Sequence, residues 1–147
     1  MNKVLLGWRE WVSLPELGID AVKAKVDSGA RSSALHTFEL ETFSEGGIAK
    51  VRFSIHPYQH DTTIVKTCVA ELLDERNVTD SGGHTELRPV ISTQLLLGGV
   101  RKKIEITLTN RENMKFRMLL GRTAMVGDFL IDPEHSYLLG SAEAIQQ

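Results

Sequence analysis

Ala24-Lys25-Val26-Asp27-Ser28-Gly29-Ala30-Arg31-Ser32-Ser33-Ala34-Leu35-His36 is the stretch on which the fold of this 147-residue chain turns. Val22, Ala24 and Val26 alternate with Lys23 and Lys25, the periodicity of a half-buried strand. That strand delivers Asp27 to its end, where a carboxylate is costly unless something uses or satisfies it. Gly29 then lets the backbone turn sharply or another segment approach closely. By themselves these residues also suit an Asx-type turn in which Asp27 and Ser28 cap a loop.

Outward from this stretch the pattern is β throughout. Val4-Leu5-Leu6-Gly7-Trp8 and Trp11-Val12-Ser13-Leu14-Pro15 precede it as short extended runs. Residues 33–40 read as one further strand, and Ser44-Glu45-Gly46-Gly47 as a hairpin turn into the alternating run from Ile48 to Ile55. The polar tract around Gly82-Gly83 joins two more strands as a mobile tip, and Gly98-Gly99 marks another turn. Ile104, Ile106 and Leu108 alternate with polar residues, and Phe116–Gly121 is too apolar for a surface strand. One short helix is expected over residues 123–126. Many short strands with frequent turn signals predict an all-β barrel or sandwich, folded as a single domain over residues 1–147.

Composition narrows the function. A hydrophobic fraction of 41% and a charged fraction of 24% are those of an ordinary globular chain. The only cysteine, Cys68, can form no internal disulfide, and the N-terminal residues carry no signal-peptide or membrane pattern, so a cytoplasmic location is expected. The net charge of −2 hides an asymmetry: residues 88–122 hold eight basic and two acidic side chains. Such a segment suits an anionic ligand, or equally a solvated strand face.

Several chemistries lack their residues. There is no His-Glu-x-x-His, no cysteine pair at zinc spacing and no Gly-x-x-x-x-Gly-Lys-[Ser/Thr] phosphate loop. His56 and His60 flank Pro57, which argues against a helix aligning them and for a solvated loop. Cys68 sits in mid-strand, where a small core residue is expected. No metal site and no cofactor are expected. Acid–base chemistry by carboxylates remains.

Asp27-Ser28-Gly29-Ala30 after a strand, with Leu119-Leu120-Gly121-Arg122 some ninety residues later, resembles the retropepsins, the half-length aspartic peptidases. Residues 23–36, Gly83-His84-Thr85-Glu86-Leu87-Arg88 and Arg117-Met118-Leu119-Leu120-Gly121-Arg122 are similar to the RimB-like branch of that group, across residues 5–138. Members are often labelled ATP-dependent zinc proteases, and the sequence supports neither half of that label. The resemblance implies a closed acid-protease barrel with one short helix after Gly121, and Asp27 as the catalytic carboxylate. Ser28, Gly29 and Ala30 would complete the active-site loop. Leu119, Leu120 and Gly121 would support it from below, and Gly82, Gly83 and His84 would form the flap.

Such peptidases use two carboxylates sharing one proton. This chain has one loop of that kind, because Asp80-Ser81-Gly82 lacks an apolar strand before it. The resemblance therefore implies a homodimer that sets Asp27 opposite Asp27. In viral retropepsins the position of Arg31 is commonly acidic and pairs with the arginine that is here Arg122, so that interface ion pair is absent or rebuilt. Arg31, Arg88, Arg117 and Arg122 become candidates for binding substrate carboxylates. The RimB-like branch is associated with ATP-grasp ligases that add glutamates to a ribosomal-protein tail, which implies a glutamate-rich peptide substrate and a link to such a ligase. The rival expectation is a catalytically silent β-barrel module that binds an acidic protein or RNA.

Overall fold

The computed structural model describes residues 2–58, 61–112 and 115–141. His60 and residues 142–147, on which parts of the sequence reading fall, lie outside the described residues. In chain order the strands are β1 (Val4–Leu6), β2 (Arg9–Leu14), β3 (Ile19–Val26), β4 (Ser33–His36), β5 (Glu39–Glu45) and β6 (Ile48–Ile55). They continue as β7 (Lys66–Glu71), β8 (Asp74–Thr79), β9 (Thr85–Leu97), β10 (Val100–Thr109), β11 (Met118–Leu120) and β12 (Phe129–Ile131). The one α-helix is α1 (Arg122–Met125), directly after Gly121 as the sequence leads one to expect. The chain is mostly β, and no helix among the described residues is long and apolar enough to cross a membrane.

The main sheet orders its strands β10-β4-β11-β3-β2-β9-β8, and β9 also pairs antiparallel with β10. The ladders therefore run from β9 through β10, β4, β11, β3 and β2, and β2 meets β9 again at Ser13↔Leu96. β5, β6 and β7 form a second, three-stranded sheet, while β1 and β12 pair in parallel. The alternation in β3 does what its period predicts: Val22, Ala24 and Val26 are buried, Lys25 is exposed and Lys23 lies between. Leu6, Val12, Leu14, Leu35, Ile91, Leu95, Ile106, Leu108, Met118 and Leu120 fill the core with no exposed surface. Each such side chain removed from water contributes about 1.5–3 kcal/mol. Val51, Phe53, Ile55 and Cys68 bring the small sheet into the same cluster. The Cys68 thiol bonds to the Leu17 carbonyl at 3.3 Å, and burial pushes its pKa up to about 11.

One expectation is corrected. Residues 33–40 are two strands in different sheets, because Thr37 ends the first. Its amide and its hydroxyl both donate to the Thr109 carbonyl at 2.9 Å. The next amide, that of Phe38, already donates to Ser54 in β6 at 3.1 Å. The Thr37 amide makes the last bond of the first ladder, opposite His36 and Thr109, and from Phe38 on the chain pairs with the second sheet.

Candidate active site

Asp27 stands where β3 leaves the sheet. β11 runs parallel to β3, with Leu120 opposite Val26, and the next amide, that of Asp27, donates to the Leu120 carbonyl at 2.9 Å. Past Gly121 the amides of Arg122 and Thr123 donate to Ala30 and Arg31 at 2.7 and 3.1 Å. The two segments thus cross, each satisfying the other's backbone. The crossing is too tight for a side chain: a Cβ on Gly121 would lie 2.4 Å from the Ser32 carbonyl carbon. The Gly121 amide donates to the buried Ser33 Oγ at 3.0 Å. From above, Arg122 Nη1 donates to the Ser28 carbonyl at 3.1 Å. The Asp27 Oδ1 accepts the Gly29 amide at 2.9 Å, whereas Oδ2 has no hydrogen-bond partner among the described residues.

β8 and β9 form a hairpin that folds over this loop, and between them lies an open cavity of about 1380 Å³. Asp27, Gly29, Ala30 and Leu119 lie on its wall, together with Asp80, Ser81 and Gly82 from the hairpin tip. The tip is an Asx turn: Asp80 Oδ1 accepts the amides of Gly82 and His84, both at 2.9 Å, and Gly83 supplies a φ of 84°. The His84 amide is the main reason that the Asp80 carboxyl is held below the usual carboxylate range. Two ionic contacts tie the hairpin down. Arg76 in β8 reaches Glu105 in β10 at 2.8 Å, and Asp80 at the tip lies 3.9 Å from Arg111, just past β10.

The four arginines picked from the sequence separate in the structure. Arg31 and Arg88 line the cavity. Arg117 is 4% exposed and donates through Nε to the His56 carbonyl at 3.0 Å, so it is a wall-building residue set behind the cavity surface. Arg122 is not among the lining residues, and its guanidinium braces the Asp27 loop through Ser28. Residues not foreseen from the sequence also face the cavity: His36, Arg76, Lys103, Glu105, Arg111 and Glu112. His36 Nδ1–H donates to the Arg111 carbonyl at 3.0 Å. Burial lowers its pKa, partly opposed by that bond, and Arg88 and Arg117 push it further down.

His56 is not a freely solvated loop residue. Its ring stacks on Phe38 at 4.0 Å, and its Nδ1–H donates to Glu112 at 2.5 Å. Among the described residues, Asp132, Glu134 and His135 hold three potential metal-ligand atoms within 4.8 Å of one another. None of the three lines the cavity, and His135 is already hydrogen bonded to Asp132 at 2.7 Å.

An Asp-Ser-Gly-Ala loop crossed by Leu-Leu-Gly, under a glycine-tipped hairpin in a mostly β chain, is the arrangement of the retropepsin-like class. The chain belongs to the family described as retropepsin-like aspartic endopeptidase RimB, whose model matches residues 5–141. It is 42% identical over 145 residues to a "Probable alpha-L-glutamate ligase" of Shewanella halifaxensis (strain HAW-EB4), covering 99% of this chain and 32% of that protein. It is 48% identical over 139 residues to a protein of the same name from Parasynechococcus marenigrum (strain WH8102), covering 95% and 30%. The chain thus spans about a third of the length of the curated relatives it matches. It is also similar to a crystal structure of a protein of unknown function from Legionella pneumophila subsp. pneumophila str. Philadelphia 1. That likeness has a TM-score of 0.75 at 25% identity, over 93% of this chain and 98% of the other.

Proposed function

We propose that this chain is an aspartic endopeptidase in which Asp27 works with Asp27 of a second copy. The carrying observation is the crossing of the Asp27 loop by Leu120-Gly121-Arg122, which fixes one carboxylate on the cavity wall with Oδ2 unbonded. Asp80 cannot supply the second carboxylate from within the chain, because it is committed to its own turn. A two-fold axis beside the loop would bring two Asp27 side chains together. Two carboxylates about 3 Å apart cannot both ionise and so share a proton. The ionised one takes a proton from the attacking water while the protonated one gives its proton to the scissile carbonyl oxygen. The β8–β9 hairpin would close over the peptide and exclude bulk water. In this reading the circuit of ladders through β9, β10, β4, β11, β3 and β2 is a closed barrel and the chain a single catalytic domain.

The substrate we propose is a glutamate-rich peptide. The cations on the cavity wall support it, as does the name of the curated relatives, probable alpha-L-glutamate ligase. That same name favours one rival. A domain amounting to a third of a ligase could hold an acidic tail without cutting it. Incubating the purified chain and its Asp27→Asn variant with a glutamate-rich peptide, followed by mass spectrometry, separates the two. A peptidase gives fragments with the wild type alone, whereas a binding module retains the peptide intact with both.

A further inference from the structure

The cations on the cavity wall are not equivalent. Arg76 is shared between Asp74 and Glu105 at 2.9 and 2.8 Å, Arg88 lies 2.6 Å from Glu86, and Arg111 lies 3.9 Å from Asp80. Arg31 and Lys103 make no ion pair among the described residues, and both are exposed on the wall. They also belong to one end of the sheet. β4 and β10 run in parallel with Ser33 opposite Ile106; Arg31 comes two residues before Ser33, and Lys103 three residues before Ile106. Arg31 is on the same loop as Asp27.

We infer that Arg31 and Lys103 together form the subsite that takes a carboxylate of the peptide and sets its register against Asp27. The inference rests on the reading of the cavity as the site of an acidic peptide, and it names the residues that recognise the charge. Arg76 and Arg88 are already partly neutralised by a bonded protein carboxylate, and Arg111 by one nearby, so a substrate carboxylate gains less at each of them. At Arg31 and Lys103 the contact is new. Arg31 offers a planar fork and Lys103 a compact point charge, a combination that fits one carboxylate approached from two directions. Lys103 escapes notice in the sequence because it ends the basic run Arg101-Lys102-Lys103, which looks like a solvated turn and strand face.

The test uses the full chain carrying Asp27→Asn, so that binding is read without cleavage. A fluorescent, C-terminally amidated oligoglutamate is titrated in, and its anisotropy followed at two salt concentrations. Adding Arg31→Met or Lys103→Met is expected to weaken binding roughly fivefold or more and to flatten the salt dependence. Arg101→Met changes the net charge equally from an exposed position off the cavity wall, and should shift affinity less than about twofold. Repeating the titration with the free C-terminal acid assigns the bound carboxylate: equal losses for both peptides place it on a side chain, and a loss for the free acid alone places it at the chain end. Lys103→Met binding both peptides no worse than Arg101→Met overturns the inference, as does failure of the parent to bind either peptide. Cleavage that persists in the Asp27→Asn parent overturns the catalytic reading instead, and leaves the ranking of these variants intact.

Discussion

Ser32 and Gly121 are in such close contact that the carbonyl group of the one occupies the space where a side chain of the other would start. A Cβ at position 121 would lie 2.4 Å from the Ser32 carbonyl carbon and 2.5 Å from its oxygen. Both clashes are with backbone, so no side chain can swing aside to relieve them. Gly121→Ala must open the crossing between the Asp27 loop and β11. We predict a loss of about 1–3 kcal/mol in chemical denaturation, with greater damage to any activity that depends on the placement of Asp27.

Ser33 tests the same crossing from its other side. Its buried hydroxyl accepts the Gly121 amide at 3.0 Å. Ser33→Ala leaves that amide buried and unpaired, which costs about 1–3 kcal/mol. Because both residues belong to one contact, the double variant with Gly121→Ala should lose less than the two single losses added together. A double-mutant cycle by urea denaturation measures this.

Glu10 makes a separate prediction. Its carboxylate has no exposed surface and accepts three amides, from Gly7 at 2.7 Å, Leu138 at 3.0 Å and Leu139 at 3.2 Å. It ties the segment after β12 across the start of β2. Glu10→Gln puts an NH₂ where only acceptors fit, and should destabilise by about 1–3 kcal/mol. Hydrogen exchange at Leu138 and Leu139 should accelerate before exchange in β3 does.

His36 sets a pH dependence. Burial lowers its pKa from the ordinary value of 6.5, so the folded chain binds a proton there less readily than the unfolded chain. Its stabilising effect is therefore complete above the unfolded value and is lost as pH falls through the lower folded one. Urea midpoints measured on both sides of about pH 6.5 should fall on acidification, and less steeply in His36→Gln. An NMR titration of His36 that gave an unshifted or raised pKa would contradict the burial seen here.

Much of the site is legible along the chain because it depends on local signals. The alternation in β3, the Asp-Ser-Gly turn, the apolar β11 and the glycine hairpin each announce themselves within a few residues. What escapes notice depends on partners far away in sequence. Thr37 looks like mid-strand until Thr109 is found binding it twice. Arg117 looks like a cleft cation, but the His56 carbonyl receives its Nε and holds the side chain in the wall. Arg76 and Glu105 carry nothing in their sequence context to say that they meet across the cavity. A count of basic residues therefore overstates how many face the cavity without an ion pair; among the described residues that line it, Arg31 and Lys103 are the cations with none.

The claim that Asp27 acts from two copies at once is tested most directly by mixing subunits. Wild-type and Asp27→Asn chains, co-expressed in varied proportions and purified together, are assayed for cleavage of a glutamate-rich peptide. If one carboxylate from each copy is needed, activity per total chain follows the square of the wild-type fraction. Activity in simple proportion to that fraction would mean that each chain cuts alone, and would contradict the shared dyad.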